Sequence, residues 1–145
     1  MNLKDLMNED FLKENKGKNL VIYFYPKDNT PGCSQEAVEF SEKKDDFEKL
    51  NTKIYGISKD SEESHEKFKD KKNLAIDLIS DEELSLIKAF DVWKKKKMFG
   101  KEYMGVERST FIFNTEGELV KEFRKVKVKG HVDQVYKFIE ENLND

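Results

Sequence analysis

The chain has 145 residues, and its 27 lysines and arginines against 30 aspartates and glutamates give a formal net charge of −3. This length suits a single domain spanning residues 1–145, and the evenly mixed, slightly acidic charge gives no reason to expect nucleic acid as a partner. The single cysteine excludes an intrachain disulfide, a CxxC redox pair and a thiolate metal cluster within one subunit.

The N-terminal third predicts one strand followed by one helix. Residues 1–18 form a short lead-in that the apolar pattern leaves ambiguous, with a short helix as one interpretation. Residues 20–25 are six consecutive apolar or aromatic residues, which predicts a strand buried on both faces. Pro26 ends this strand, and Thr30, followed by a proline, is typical of a helix N-cap. The apolar stripe of that helix consists of Ala37, Phe40, Phe47 and Leu50.

The middle of the chain continues the alternation of strands and helices. Residues 53–58 predict a second strand, and a capping-box pattern at Asp60 predicts a helix that ends near Lys72. Residues 75–79 predict a short strand, followed by a short helix over residues 81–90. The four consecutive lysines that follow, Lys94 to Lys97, indicate a solvated loop, with an anionic partner as the alternative.

The C-terminal part predicts a hairpin and a final helix. Residues 109–113 form a strand, residues 114–117 a turn, and residues 118–128 an alternating, half-exposed strand. A helix with one apolar face follows from Val132. The order β-α-β-α-β-α-β-β-α predicts an α/β, thioredoxin-like fold, with a central mixed sheet covered by helices on both faces.

The scarcest residue types cluster in one loop. Both prolines and the only cysteine lie between Pro26 and Cys33, where a buried strand ends and a helix begins. Ligands of open α/β sheets bind at this end of the strands. In the first helical turn, unpaired backbone N–H groups and the helix dipole stabilise a Cys33 thiolate over the thiol. The dipole supplies only about 0.3–1 kcal/mol, at most about 2, so a nearby cation is also expected.

The chain has two arginines, Arg108 and Arg124, among 25 lysines. Arginine provides a planar fork of five donors, which lysine cannot replace. Arg108 opens a buried strand and is the predicted cation beside Cys33, whereas Arg124 lies in the alternating strand and is predicted to face solvent. The alternative for Cys33 is a small buried hydrophobic residue.

The remaining candidates give no further site. His65 and His131 have no neighbouring ligand cluster, which favours surface or helix-capping roles over metal binding, so neither a metal nor another cofactor is expected. No apolar run approaches the roughly 18 residues of a membrane span. The first residues also lack the pattern of a secretory signal. A cytoplasmic, reducing location without membrane contact is therefore expected.

Residues 23–37 resemble the active-site segment of the peroxiredoxins. The family pattern Pro-x-x-x-Thr-x-x-Cys falls on Pro26, Thr30 and Cys33. The resemblance is closest to the bacterioferritin comigratory protein, or PrxQ-like, subgroup. It implies a peroxiredoxin domain with a thioredoxin-like fold.

Two downstream segments carry the same resemblance. Residues 97–111 place Arg108 on the active-site arginine of the subgroup, and residues 129–132 also match it. The likeness covers about residues 19–143. The lead-in of residues 1–18 is shorter and more divergent than is usual in the family.

The resemblance implies a thiol-dependent peroxidase that reduces hydrogen peroxide and organic hydroperoxides, as part of antioxidant defence. Cys33 would attack the peroxide and become a sulfenic acid. The Thr30 hydroxyl, the Cys33 backbone N–H and Arg108 would hold the peroxide and stabilise the charge that develops. Pro26 would shield the sulfenate from water.

Two neighbours of Cys33 are supporting candidates. Gly32 helps to set up the helix start. Glu36, one turn beyond Cys33, either orients Arg108 through a bidentate pair or is an exposed first-turn acid favoured by the dipole.

The chain departs from the subgroup at the resolving cysteine. Many members place it five residues after the first cysteine, where this chain has Val38, and no second cysteine occurs elsewhere. We therefore predict a one-cysteine mechanism completed by an external thiol, namely thioredoxin, glutaredoxin, glutathione or a small thiol. The subgroup implies a monomer, with a dimer as the alternative.

The sequence disfavours two rival functions. A thiol-disulfide oxidoreductase requires CxxC or CxxS and a cis-proline, but Glu36 occupies the fourth position and no proline follows Pro31. A catalytically silent, thioredoxin-like binding module would have no reason to keep Thr30, Cys33 and Arg108 together.

Overall fold

A five-stranded sheet forms the centre of the computed structural model, which describes residues 1–143. The described residues form β1 (Asn19–Phe24), β2 (Thr52–Ser58), β3 (Asp77–Ser80), β4 (Trp93–Met98), β5 (Lys101–Val106), β6 (Ser109–Phe113) and β7 (Leu119–Phe123). The sheet has the order β3-β2-β1-β6-β7. The pairs β1–β2 and β2–β3 are parallel, whereas β1–β6 and β6–β7 are antiparallel. The predicted mixed sheet is thereby confirmed.

Helices cover both faces of this sheet, as predicted. They are α1 (Glu9–Glu14), α2 (Pro31–Glu42), α3 (Lys44–Lys49), α4 (Glu62–Lys72), α5 (Ser85–Ala89) and α6 (His131–Asn142). Successive side chains of a strand point to opposite faces. Val21 and Tyr23 of β1 therefore pack in one core cluster, with residues of α2, α3, α4 and α6. Ile22 and Phe24 pack in a second cluster, with residues of α1 and α5.

The long helix predicted from Pro31 to Leu50 is interrupted at Lys43. This residue has φ −96° and ψ 4°, outside the helical region, and separates α2 from α3. The turn keeps the predicted apolar stripe in the core: Phe47 lies with its ring centroid 6.1 Å from that of Phe40 and is fully buried. Phe47 thus joins the same core cluster as Phe40, although the two residues belong to different helices.

The start of α4 is also shifted. Ser61, not Asp60, is the N-cap, and its side chain accepts a hydrogen bond from the backbone N–H of Ser64. The Asp60 carboxylate instead accepts hydrogen bonds from the Ser58 hydroxyl and the backbone N–H of Asp28. The helix ends at Lys72, as predicted.

The strands β4 and β5 form a hairpin outside the central sheet, so the predicted lysine loop is wrong. Two residues with positive φ, Phe99 at 52° and Gly100 at 78°, connect the strands, as in a type I′ turn. Lys95 pairs with Glu102 across the hairpin at 3.0 Å. The side chain of Lys96 packs over Gly105, where a Cβ would lie 3.2 Å from its Cδ.

Several element boundaries differ from the predictions. The strand predicted at residues 75–79 is Asp77–Ser80, the helix predicted at 81–90 is Ser85–Ala89, and the strand predicted at 118–128 ends at Phe123. Half-exposed strand ends and short helices carry few core contacts, so apolar patterning places their ends poorly.

The lead-in contributes a 3-10 turn at Leu3–Asp5 and α1, so it does contain a short helix. Buried Leu3 donates its backbone N–H to the carbonyl of Gly117 in the β6–β7 turn. The lead-in is therefore attached to the edge of the sheet. None of the helices between residues 1 and 143 has the length and apolarity needed to cross a bilayer.

Candidate active site

The loop after β1 delivers Cys33 to the first turn of α2. Thr30 has the extended backbone of an N-cap, with φ −94° and ψ 157°, and Pro31 occupies the first helical position, as predicted. The Thr30 hydroxyl makes no capping bond and instead donates to the carbonyl of Lys27 at 3.0 Å. Cys33 is only 2% exposed. Cys33 therefore lies in the first turn of α2, where the backbone N–H groups have no helical partners, and it is largely shielded from water.

Arg108 contacts the sulfur directly. Its Nη2 donates to Cys33 Sγ at 3.2 Å, and its Nη1 donates to Glu36 Oε1 at 2.7 Å. The antiparallel register places Phe24 opposite Ser109, so Arg108 lies where β1 ends and the loop to α2 begins. The structure thus brings together the cysteine and the arginine that the sequence singled out.

Gly32 allows the guanidinium to approach this closely. A Cβ at position 32 would lie 3.3 Å from Arg108 Nη2 and 3.9 Å from Val128 Cγ2. A side chain there would press on the Arg108 guanidinium, whereas its contact with Val128 would be an ordinary one. Pro26 follows β1 as a half-buried residue at the start of the same loop.

Glu36 is fully buried, which excludes the interpretation of an exposed first-turn acid. The predicted bidentate pair with Arg108 is also wrong, because only Oε1 is bonded and Oε2 has no partner among the described residues. Burial raises the pKa of Glu36 to about 7, although Arg108 acts in the opposite direction. Glu36 therefore accepts a hydrogen bond from Nη1 of Arg108, while Nη2 of Arg108 donates to the Cys33 sulfur.

Tyr23 is a member of this group that the sequence did not reveal. Its hydroxyl is buried without a hydrogen-bond partner among the described residues. Gly56 makes room for it, since a Cβ there would lie 2.8 Å from the hydroxyl oxygen. Burial, followed by the charges of Glu36 and Cys33, raises the pKa of Tyr23 well above its ordinary value. In the sequence, Tyr23 lies in the apolar run of β1, so nothing there indicates that its hydroxyl belongs to the site.

Replacing Tyr23 by phenylalanine is expected to leave stability unchanged or to increase it by about 1 kcal/mol, since a buried, unpaired hydroxyl is costly. Tyr25→Phe is the matched comparison in the same segment. Its hydroxyl donates to Asp28 Oδ1 at 2.6 Å, so its loss should destabilise the fold by about 1 kcal/mol or more. Urea unfolding of both variants measures the difference, and an equal loss in both would contradict the assignment.

Both histidines are buried, so the prediction of surface or capping positions is wrong. His65 is 4% exposed and its Nδ1 lies 2.7 Å from Asp28 Oδ2, whereas His131 is 3% exposed and its Nε2 lies 2.7 Å from Thr110 Oγ1. Burial, assisted by Arg108, lowers the pKa of His131 to about 4, so it is neutral at pH 7. No cluster of three or more potential metal ligands occurs between residues 1 and 143.

The sequence predicts that Arg124 faces solvent, but in the structure Arg124 also makes contacts within the protein. It donates to the carbonyls of Asp91 at 2.6 Å and Phe90 at 3.2 Å, and its guanidinium lies 5.2 Å from the ring centre of Phe111. Arg124 therefore binds the chain that follows α5 to the sheet. The two arginines therefore have different partners: Arg108 contacts the Cys33 sulfur, whereas Arg124 contacts the backbone after α5.

Comparisons with known proteins identify the family of this chain. The AhpC/TSA family model matches residues 2–122. Peroxiredoxin Bcp of Bacillus subtilis is 58% identical over 121 residues, which are 83% of this chain and 77% of that protein. Peroxiredoxin Bcp of Xanthomonas campestris is 49% identical over 124 residues, which are 86% of this chain and 78% of that protein.

Solved structures give the same result. The bacterioferritin comigratory protein of X. campestris, studied for its alkyl peroxide reduction activity, superposes with a TM-score of 0.86 at 45% identity and covers 91% of this chain and 84% of that one. BcpB of Mycobacterium tuberculosis superposes with a TM-score of 0.78 at 26% identity, over 90% of this chain and 84% of that one. The chain therefore belongs to the AhpC/TSA family and, within it, to the Bcp and PrxQ peroxiredoxins, and it is a thiol-dependent peroxidase.

Proposed function

We propose that Cys33 is the nucleophile of this peroxidase, and the 3.2 Å contact between its sulfur and Arg108 carries the proposal. The thiolate attacks the terminal oxygen of a hydroperoxide, the S–O bond forms and the O–O bond breaks. The alkoxide or hydroxide that leaves takes a proton and departs as alcohol or water. Cys33 is left as a sulfenic acid, so sulfur is oxidised and the peroxide is reduced.

Thr30 and Arg108 hold the peroxide during this step. The hydroxyl proton of Thr30 is already donated to the carbonyl of Lys27, so the hydroxyl is left to accept the proton of the peroxide O–H. Arg108 and the backbone N–H of Cys33 donate to the oxygens that gain charge, in the manner of an oxyanion hole.

Three residues support this arrangement. Glu36 positions the Arg108 fork through its bond to Nη1, and Gly32 leaves room for the guanidinium. Pro26 shields the sulfenate from water at the start of the loop. None of these roles requires a metal or another cofactor.

An external thiol completes the cycle, because the chain has a single cysteine. The thiol attacks the Cys33 sulfenic acid, a mixed disulfide forms and water leaves. A second thiol then releases the Cys33 thiol and carries away the disulfide. Because Cys33 is 2% exposed, we expect the first turn of α2 to open before a protein thiol reaches the sulfur.

Steady-state consumption of hydrogen peroxide and of an organic hydroperoxide tests the substrate and the reductant together. Thioredoxin, glutaredoxin, glutathione and dithiothreitol are compared as electron donors at equal thiol concentration. The proposal expects turnover with at least one of them. Oxidation of Cys33 with no turnover by any thiol would contradict the one-cysteine cycle.

The oxidised state gives a further prediction. Intact mass after one equivalent of peroxide should increase by about 16 Da, the mass of one oxygen. Addition of glutathione should then convert this species into a mixed disulfide. A Cys33–Cys33 disulfide dimer that is obligatory for turnover would contradict the prediction.

We also propose that the protein is monomeric and cytoplasmic. A single free thiol that depends on external thiols suits a reducing compartment. Light scattering of the reduced and the oxidised protein tests the assembly state, and a stable dimer in both forms would overturn this part.

A further inference from the structure

A buried polar cluster lies beneath the loop that carries Thr30, outside the peroxide site itself. Its centre is the Asp28 carboxylate. Oδ1 accepts from the Tyr25 hydroxyl at 2.6 Å, and Oδ2 accepts from the Ser64 hydroxyl at 2.7 Å. Oδ2 also lies 2.7 Å from Nδ1 of His65, and the His65 and Asp28 side chains are 5% and 4% exposed.

The polar neighbours of His65 determine its charge. The Tyr25 hydroxyl lies 3.4 Å from Nδ1, but its proton is donated to Asp28 Oδ1, so it cannot also donate to the ring. Nε2 lies 3.1 Å from the carbonyl oxygen of Ile79, which can only accept, so Nε2 carries a proton. Nδ1 faces the Asp28 carboxylate, which is likewise an acceptor when ionised. A ring that donates from both nitrogens is an imidazolium. His65 and Asp28 therefore form a buried ion pair that ties α4 to the loop.

One peptide group connects this ion pair to the peroxide site. The N–H of the Lys27–Asp28 peptide donates to Asp60 Oδ2 at 2.9 Å, and its carbonyl accepts from the Thr30 hydroxyl at 3.0 Å. The Asp28 side chain is attached directly to this peptide. Because the ion pair fixes Asp28, it also fixes the carbonyl that orients the Thr30 hydroxyl.

We propose that the His65–Asp28 ion pair is a positioning pair for the peroxidase reaction, acting through the Lys27–Asp28 peptide on the Thr30 hydroxyl. The inference rests on the proposed role of Thr30. Neither residue touches the peroxide. Their effect is on where the Thr30 oxygen points, and small misplacements of a positioning group can cost up to about 100-fold in rate.

The surroundings of His65 support its charge. Burial alone would lower its pKa, but Asp28 from the loop, the Ile79 carbonyl from β3 and Asp60 from the β2–α4 connection together raise it. Burial acts against ionisation of Asp28 as well, yet His65, Tyr25 and Ser64 lower its pKa. The contribution of the pair to stability is complete between the ordinary aspartate pKa of about 3.9 and the ordinary histidine pKa of about 6.5. That stability is lost as the pH rises through the folded pKa of His65.

Proton NMR of the wild-type protein tests the charge state directly, because the chain has two histidines. The midpoint of the His65 titration should lie above pH 6.5, whereas neutral His131 is the internal reference. Asp28→Asn should move the His65 titration down. A neutral His65 ring in wild-type protein at pH 6 would overturn the proposal, whatever the variants do.

Stopped-flow oxidation of Cys33 by hydrogen peroxide tests the positioning role. Asp28→Asn should lower the second-order rate constant about tenfold, within the range expected for a displaced positioning group. The wild-type constant should also fall as the pH passes the His65 titration measured by NMR. Asp133→Asn makes the same chemical change at a side chain that is 75% exposed and should have no effect.

A double-mutant cycle separates positioning from a general loss of structure. In a Thr30→Val background the hydroxyl is gone, so Asp28→Asn should lower the rate constant by less than twofold further. If the rate loss of the double variant equalled the product of the two single losses, the proposal would be overturned. If wild-type Cys33 did not react with peroxide at all, the proposed function would fail, while the NMR result on the ion pair would still be read independently.

Discussion

Cys33→Ser is expected to abolish peroxide turnover, with a loss of at least about a thousandfold, as for other catalytic nucleophiles. Cys33 is the only thiol of the chain, so no neighbouring residue can take over the S–O bond formation. The serine hydroxyl is similar in shape and can accept a hydrogen bond from Arg108, but it is a far weaker nucleophile towards a peroxide oxygen. The decisive measurement is peroxide consumption with saturating dithiothreitol, corrected for the reaction of dithiothreitol alone.

Folding must be checked beside the kinetics, because Cys33 is part of a core cluster. Cys33→Ser and Cys33→Ala should both retain the circular dichroism spectrum of the wild type, and both should lack activity. An unchanged rate in either variant would refute the assignment of Cys33 as the nucleophile, and with it the whole reaction scheme.

The central strand and the loop to α2 could be predicted because their signals are local. The strand at residues 20–25 is apolar at every position since both of its faces are buried, and Phe24 marks its end one residue before the expected boundary. Two adjacent residues, Thr30 and Pro31, mark the start of α2. The contact between Cys33 and Arg108 joins residues 75 positions apart, and it was predictable because arginine is rare in this chain and because residues 97–111 resemble the peroxiredoxin subgroup.

The hairpin of β4 and β5 escaped prediction for a physical reason. Exposed side chains alternate with half-buried ones on β4, so its lysines show no apolar period. The two-residue turn at Phe99 and Gly100 is its only local signal, and it lacks the Asn-Gly or Asp-Gly sequence that usually marks such turns.

The positioning pair was missed because its evidence is not local. Asp28 and His65 are 37 positions apart, and each alone is typical of a polar surface residue. Burial and the shared hydrogen bonds become visible only when α4 is packed on the sheet beside the loop. The same holds for Glu36, where the sequence left a bidentate pair with Arg108 and an exposed first-turn acid open. The structure shows a buried Glu36 that accepts a single bond from Arg108 at 2.7 Å.

Arg108→Lys is expected to lower the rate constant for Cys33 oxidation by about 100-fold, the loss typical for removal of one preorganised donor at a developing charge. The Arg108 fork serves two partners at once, with Nη1 on Glu36 and Nη2 on the sulfur. A lysine ammonium is a single point charge and cannot keep both contacts in this geometry. If it moved to Glu36, buried at 0% exposure, the sulfur would lose its cation.

Arg124→Lys is the matched control, because it makes the same chemical change at the other arginine. Arg124 donates to the carbonyls of Phe90 and Asp91, and none of its hydrogen bonds among the described residues involves Cys33, Thr30 or Arg108. Its replacement should therefore cost stability but leave the rate constant within about twofold. Stopped-flow oxidation by hydrogen peroxide measures both variants under the same conditions. Equal rate losses in the two would show that the effect of Arg108 is structural, and near-wild-type kinetics in Arg108→Lys would show that a point charge suffices for the reaction.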